Sequence, residues 1–219
     1  MCSSDLKAAA VGRFFNCGQA CLAVKRLYVF ENAYEAFMER FLPRVQKLRL
    51  GPGLDESTQM GPLHTERQRR LIEEQLRDAL ESGGRLLVGG KRPESEALRR
   101  GYFFEPTVVL EPSLDSRAAQ EEVFGPLLPI WRVKGLEEAV ELANRSPYGL
   151  GSTVFTRSLE RASYALEKLE AGYTWINSVN RIYDELPFGG VKQSGYGKEH
   201  GIEALEYYQE TKAGVVRWR

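Results

Sequence analysis

The 219-residue chain is long enough for one large domain or two small ones, and either could bury a real core. Hydrophobic residues at 42% and charged residues at 27% are globular proportions, and 30 Lys plus Arg balance 30 Asp plus Glu, so charge gives no reason to expect nucleic acid or an anionic membrane as partner. No apolar run approaches the roughly 20 residues of a membrane span and no signal peptide is visible; three cysteines gathered at Cys2, Cys17 and Cys21 form no disulfide framework and fit a reducing, cytoplasmic setting.

Met1 to Leu6 carries no hydrophobic period, and helix-like sequence starts abruptly at Lys7. Residues 1–6 therefore read as a non-native or disordered leader, an assembly artefact fused to a truncated gene. Val24 to Phe30 is apolar and β-forming and predicts a strand; Asn32 then caps a helix marked by Ala33, Phe37, Phe41 and Leu42, which Gly51-Pro52-Gly53 stops. A second helix opens at Pro62 and Thr65, buries Leu71, Ile72, Gln75, Leu76 and Leu80, and closes at Gly83-Gly84. Strands at Arg85 to Val88 and Phe103 to Leu110 flank a polar loop around Pro93 to Arg100.

From there strand and helix alternate: Pro129 to Val133, Glu137 to Ala143, Ser152 to Thr156, Leu159 to Leu169 and Tyr173 to Asn177. Short connections between alternating elements favour parallel βαβ units, so the fold class is α/β, a mostly parallel twisted sheet with flanking helices. Pro187 to Gly201 is a glycine-rich loop, Ile202 to Tyr208 is helical, and Ala213 to Trp218 reads as a lone terminal strand that pairs outside its own domain.

Three stretches could carry chemistry. In Phe14-Phe15-Asn16-Cys17-Gly18-Gln19-Ala20-Cys21 a thiol is available as nucleophile if its surroundings favour the thiolate, and backbone N–H groups near Cys21 could hold an oxyanion; the competing reading is a buried, inert cysteine. Neither Cys17 nor Cys21 has ligands at zinc spacing, and His64 and His200 have no third partner, so neither a metal nor a Cys-His-Asp protease is indicated. The glycines from Gly189 to Gly197 are not a phosphate loop, because Tyr196 stands where the lysine is required, and no dinucleotide fingerprint occurs. In Glu121-Glu122-Val123-Phe124-Gly125-Pro126 a carboxylate beside an aromatic ring could meet ribose and base, or could simply cap a turn ahead of a strand.

Taken in order, Phe-Asn-x-Gly-Gln-x-Cys, Glu-x-Phe-Gly-Pro about a hundred residues on, Pro-Tyr-Gly-Leu, Trp-x-Asn and Pro-Phe-Gly-Gly-x-Lys-x-Ser-Gly resemble the aldehyde dehydrogenase superfamily from about Lys7 to Arg219. The resemblance implies that residues 7–201 form a catalytic domain, that 202–219 are a C-terminal helix and oligomerisation strand, and that most of an N-terminal cofactor-binding domain is absent. It implies Cys21 as the nucleophile toward an aldehyde, through a thiohemiacetal and a thioester, with NAD or NADP as hydride acceptor and Cys17 a bystander. Glu122 then holds the nicotinamide ribose, with Phe124 beside it and Leu150 against the nicotinamide. Phe15 and Phe188 wall the aldehyde tunnel, Asn177 lies near the site, and Glu199 is a proton relay. The general base and one oxyanion donor of the family lie in sequence this chain does not contain.

Phe15 replaces an arginine found in members that oxidise carboxylate-bearing aldehydes, which implies an uncharged substrate; Arg181 could reverse that. Rival readings are an inactive truncated product, a half-enzyme that works with a separate N-terminal polypeptide, and a cofactor-independent thiol esterase. The partners implied are a small-molecule aldehyde and, for the full-length enzyme, further copies in a homo-oligomer, with no nucleic acid or membrane.

Overall fold

The computed structural model describes residues 3–219; Cys2 and the first residue of the leader reading lie outside the described residues. Helix α1 (Ser3–Phe14) begins before the Lys7 expected from sequence and takes in Asp5 and Leu6, the latter 2% exposed and packed into the main core. A 3-10 turn (Phe15–Gly18) leads to strand β1 (Leu27–Phe30) and helix α2 (Glu31–Gln46). Asn32 does not cap α2: the helix starts directly off the strand with Phe30 at the cap position, so Asn32 is already inside it. Helix α3 (Glu66–Glu81) is capped as its sequence predicts, the Thr65 hydroxyl accepting from the Gln68 N–H at 3.2 Å.

Strand β2 (Arg85–Val88) is followed by a short helix α4 (Glu96–Arg99) inside the expected polar loop, and by β3 (Thr107–Leu110), which starts four residues later than its apolar run. Phe103 and Phe104 are buried all the same, which is why burial alone misplaced the strand start. Helix α5 (Arg117–Gln120), strand β4 (Leu127–Val133), helix α6 (Leu136–Asn144), strands β5 (Tyr148–Gly149) and β6 (Gly151–Val154), helix α7 (Leu159–Lys168) and strand β7 (Tyr173–Ile176) continue the alternation. A two-residue strand β8 (Val191–Lys192) and a 3-10 helix (Ile202–Tyr208), at the bounds expected for the helical segment, complete the elements.

The larger sheet has the order β1-β4-β3-β2; β4 runs parallel to both neighbours and β2 is antiparallel at the edge. All four residues of β3 and six of the seven in β4 are buried, the mark of a parallel strand covered on both faces. β6 and β7 form a second parallel pair, with Gly151 opposite Tyr173 and Val154 opposite Ile176. Helices α1, α2 and α3 pack their apolar stripes on the larger sheet around Phe41, Val45, Ile72, Val108 and Leu128. Ala213 to Trp218 forms no ladder with the described residues, and Val215, Val216 and Trp218 are exposed.

Candidate active site

The Cys21 loop is shaped by backbone geometry before any catalytic group is considered. Asn16, Cys17 and Gly18 all have positive φ, at 48°, 58° and 73°. A side chain at position 18 would put its Cβ 2.3 Å from the Gly125 carbonyl oxygen, so only glycine lets this loop lie against the Glu122–Gly125 segment. Gln19 fastens the other side, its Oε1 accepting from the His64 N–H at 2.8 Å while Asn16 Nδ2 donates to the Gln19 carbonyl at 2.9 Å. The Asn-x-Gly-Gln spacing thus builds a tight bend between two loops, and Cys21 leaves it exposed, in the turn ahead of β1.

Cys17 is its opposite. The side chain is 1% exposed, and burial pushes its thiol up to about 12, with nearby Arg13 opposing. A thiol that must lose its proton in an apolar core is a poor nucleophile at neutral pH.

Two cations that the motif reading passed over hold the loops together. Arg13, fully buried at the end of α1, donates from Nη1 to the Val24 carbonyl at 2.9 Å and from Nη2 to the carbonyls of Val123, at 3.0 Å, and Gly125. Lys25 donates from Nζ to the Ala20 carbonyl at 2.8 Å and to the Val123 carbonyl at 3.2 Å. The same ammonium lies 3.4 Å from Glu122 Oε1 and 4.7 Å from the centroid of the Phe124 ring. Burial, and then repulsion from Arg13, lower the Lys25 pKa to about 8, against the pull of Glu122 and Cys21. Gln68 donates to the Phe124 carbonyl at 2.8 Å and Gln75 to Glu121 Oε2 at 3.0 Å, so the carboxylate loop is held on both sides. The available signals for the cations were a lone arginine closing the apolar run Ala8 to Phe14 and a lysine four residues after the thiol.

Cys21, Glu122 and Leu150 line one cleft of about 600 Å³. Phe188 is buried beside them, its ring tilted at 58° to Tyr173, in a cluster with Trp175 to which Leu22 and Leu150 also contribute. Glu199 exchanges backbone hydrogen bonds with Phe188 at 2.6 and 2.7 Å, and its side chain is exposed and outside the cleft lining. Phe15 is half-buried in the 3-10 turn and also outside that lining. Arg181 is exposed and sits 4.7 Å over the Tyr183 ring, its carbonyl accepting from Trp175 Nε1 at 2.6 Å. Asn177 has φ of 57° and spends its amide on the Thr156 backbone, accepting at 2.9 Å and donating at 2.8 Å, so its side chain ties the end of β7 to the end of β6. Among the described residues no group of three or more His, Cys, Asp or Glu could hold a metal ion, and no helix is long and apolar enough to cross a membrane.

Comparison with known proteins gives the same picture over the whole chain. The family model described as the aldehyde dehydrogenase family matches residues 2–214. A succinate-semialdehyde dehydrogenase [NADP(+)] of Deinococcus radiodurans is 44% identical over 214 residues, covering 98% of this chain and 44% of the relative. A betaine aldehyde dehydrogenase of Brucella anthropi is 38% identical over 213 residues, covering 97% and 44%. The crystal structure of betaine aldehyde dehydrogenase from Staphylococcus aureus in complex with NAD+ superposes with a TM-score of 0.91 at 39% identity, over 94% of this chain and 41% of that one. The chain spans less than half the length of these relatives. With its fold, its motifs and nearly all of its length matched, the chain belongs to the aldehyde dehydrogenase family.

Proposed function

We propose that the chain is the nucleophile-bearing part of an NAD(P)-dependent aldehyde dehydrogenase, with Cys21 as the nucleophile. The observation that carries this reading is the pairing of an exposed thiol and an exposed carboxylate, Cys21 and Glu122, on one cleft, with Lys25 between the Glu122 carboxylate and the carbonyl of Ala20 just before the thiol. Cys21 adds to the aldehyde carbonyl to form a thiohemiacetal; loss of hydride leaves a thioester, and water releases the carboxylate. Sulfur suits both ends of that sequence, because a thiolate adds readily and is a good acyl leaving group. The Cys21 N–H, in the turn ahead of β1, is one donor for the oxyanion.

The donor set around the cleft fits a nicotinamide cofactor in part. Glu122 offers a carboxylate to ribose hydroxyls, steadied by Lys25, and Leu150 offers an apolar contact to the ring. The cofactor, when bound, supplies the hydride acceptor; NAD and NADP both occur among the relatives' names. Phe188 closes one side of the site, and the exposed Glu199 behind it is a relay for protons from the rim. The general base belongs to polypeptide outside this chain. The relatives act on both a carboxylate-bearing and a betaine aldehyde by name, and Phe15 and Arg181 both stand outside the cleft lining, so the substrate proposed is an aldehyde without further definition.

The test is aldehyde-dependent NAD(P)H formation by the purified chain, alone and mixed with a separately made polypeptide supplying the remaining length. Without its base the chain alone falls short by about 10² to 10⁴ in rate, and activity appears on mixing and vanishes in Cys21→Ala. Turnover by the chain alone that tracks the protein and survives Cys21→Ala overturns the assignment. The accessibility of Cys21 also favours a second reading, ester hydrolysis without cofactor, which p-nitrophenyl acetate measures directly.

A further inference from the structure

Lys25 does more at the site than hold two loops together. Its ammonium has three protons to donate, and three acceptors surround it: the Ala20 carbonyl at 2.8 Å, the Val123 carbonyl at 3.2 Å and Glu122 Oε1 at 3.4 Å. The Ala20 contact is the shortest of the three. It is also the one that bears on the chemistry, because the Ala20 carbonyl and the Cys21 N–H are the two ends of one peptide group. A trans peptide is planar, with its C=O and N–H pointing in opposite directions, so whatever fixes the oxygen also fixes the direction of the hydrogen.

The two ends of that peptide are treated differently. The oxygen end is held twice, since the Ala23 N–H also donates to it, at 3.1 Å. The hydrogen end is free: among the described residues the Cys21 N–H donates to no protein group, and Cys21 stands exposed on the cleft. A carbonyl that accepts from a cation draws electron density toward its oxygen, which makes the N–H at the other end of the peptide a better donor. The charge is kept there at a cost. The Lys25 side chain is 14% exposed, and burial, then repulsion from Arg13, lower its pKa to about 8. A neutral amide would satisfy the same carbonyls without that cost, so the positive charge is itself the feature to explain.

We propose that Lys25 is a positioning residue for the oxyanion: it fixes and polarises the Ala20–Cys21 peptide so that the Cys21 N–H meets the negative oxygen formed when the thiolate adds to a carbonyl. The proposal rests on the reading of Cys21 as the nucleophile. With p-nitrophenyl acetate the chemistry is complete within this chain. The Cys21 Sγ–C bond forms and the carbonyl π pair moves to oxygen; its return expels p-nitrophenolate with the C–O bonding pair and leaves the acetyl thioester. Alkylation by iodoacetamide is the contrasting reaction, because the S–C bond forms as iodide leaves with the C–I pair and no oxyanion arises. The ratio of acetylation rate to alkylation rate therefore reports oxyanion stabilisation with the amount of thiolate divided out. Losing an oxyanion donor outright costs about 10² to 10³ in rate, and losing the group that aims and polarises it costs part of that, about tenfold in the ratio. The Lys25 ammonium is almost fully charged at about pH 6.5 and about one-quarter charged at about pH 8.5, so the ratio for the parent falls about threefold over that span. The charged groups facing Lys25 are Arg13 from α1, Glu122 from the carboxylate loop and Cys21 from its own loop. Arg13, lowered by burial to about 9, keeps most of its charge in this range, and ionisation of the thiol cancels in the ratio.

The test measures both rates at Cys21 of the full chain, by acid quench and peptide mass spectrometry, at about pH 6.5 and about pH 8.5. Parent, Lys25→Met and Lys25→Arg are compared. Lys25→Met lowers the ratio about tenfold at the lower pH and makes it flat with pH, while Lys25→Arg keeps a higher ratio than Lys25→Met and is also flat, because its charge does not titrate in this range. The pH profile of the parent needs no variant, so it decides the matter even where circular dichroism shows a variant to be unfolded. The proposal is overturned if the parent's ratio is the same at both pH values, or if folded Lys25→Met keeps it within about twofold of the parent. Equal slowing of acetylation and alkylation in Lys25→Met also overturns it, because the lysine would then act on the thiol and not on the peptide. A parent alkylated but never acetylated at Cys21 removes the nucleophile reading and this proposal together, whereas acetylation of Cys21 with unchanged ratios removes this proposal alone.

Discussion

Replacing Lys25 by Met should change how stability depends on pH more than it changes stability at any one pH. In an unfolded chain the ammonium titrates near 10.4, whereas burial against Arg13 lowers it to about 8 in the folded protein. Below the folded value both states are protonated and the protein carries the full penalty of a buried cation. Between about 8 and 10.4 the unfolded chain holds a proton that the folded chain has released, so folding gains with rising pH. A gap of about 2.4 pH units comes to about 3 kcal/mol at the upper end. Solvent screening takes little from this, since the side chain is 14% exposed. Cys17 opposes the trend: raised to about 12, it contributes stability below the thiol's ordinary range that is lost as pH climbs through it, but it does so alike in both proteins and cancels in their difference. Urea unfolding of parent and Lys25→Met, followed by tryptophan fluorescence from pH 7.5 to 10.4, should show the parent gaining about 3 kcal/mol on the variant, a midpoint shift of about 1–2 M. Parallel curves would refute the claim that Lys25 is a buried cation held at a cost between the two loops.

Gly18→Ala places a Cβ against the Gly125 carbonyl at positive φ, and should cost about 2–4 kcal/mol in the same unfolding assay; a loss under about 1 kcal/mol would mean the loops do not touch as described. Arg13→Met removes one donor from each of three carbonyls, of which Val123 keeps Lys25 and Gly125 keeps the Leu127 N–H, and should destabilise by about 3 kcal/mol, with faster hydrogen exchange at Val24 and Val123 to Gly125 as the local signature. Deleting Gly214–Arg219, an exposed stretch with no ladder to the described residues, should abolish any dimer seen by sedimentation and leave the helical signal largely unchanged; a dimer that survives would place the interface elsewhere.

The sequence made the architecture legible where periodicity and chain punctuation agreed. Thr65 before a strong helical stripe and Gly83-Gly84 after it located α3 to within a residue or two, and the alternation from Pro129 to Asn177 gave the parallel elements in order. It failed where tertiary packing overrides local signals: Asn32 is an apt cap that the chain does not use because α2 follows β1 without a break, and the apolar Phe103 and Phe104 are core loop residues ahead of a shorter strand. The terminal helix lies at the expected Ile202–Tyr208, as a 3-10 segment whose Ile202 and Leu205 are exposed.

At the site, motif order singled out Cys21, Glu122, Phe124 and Leu150, which lie in or beside one cleft, and Phe188, which borders it. Arg13 and Lys25 escaped notice because their role is to satisfy carbonyls brought together from residues about a hundred positions apart, and no local pattern encodes that. Asn177 reads as a site residue from its motif, yet its side chain is committed to the Thr156 backbone, a structural duty that spacing alone does not distinguish from a chemical one.

The central claim is that Cys21, not Cys17, is the nucleophile. Brief exposure of the native chain to p-nitrophenyl acetate near pH 7.5, followed by acid quench and peptide mass spectrometry, tests it most directly. The account predicts an acetyl thioester on the exposed Cys21 and none on the buried Cys17. Acetylation of Cys17 to an equal or greater extent would contradict it.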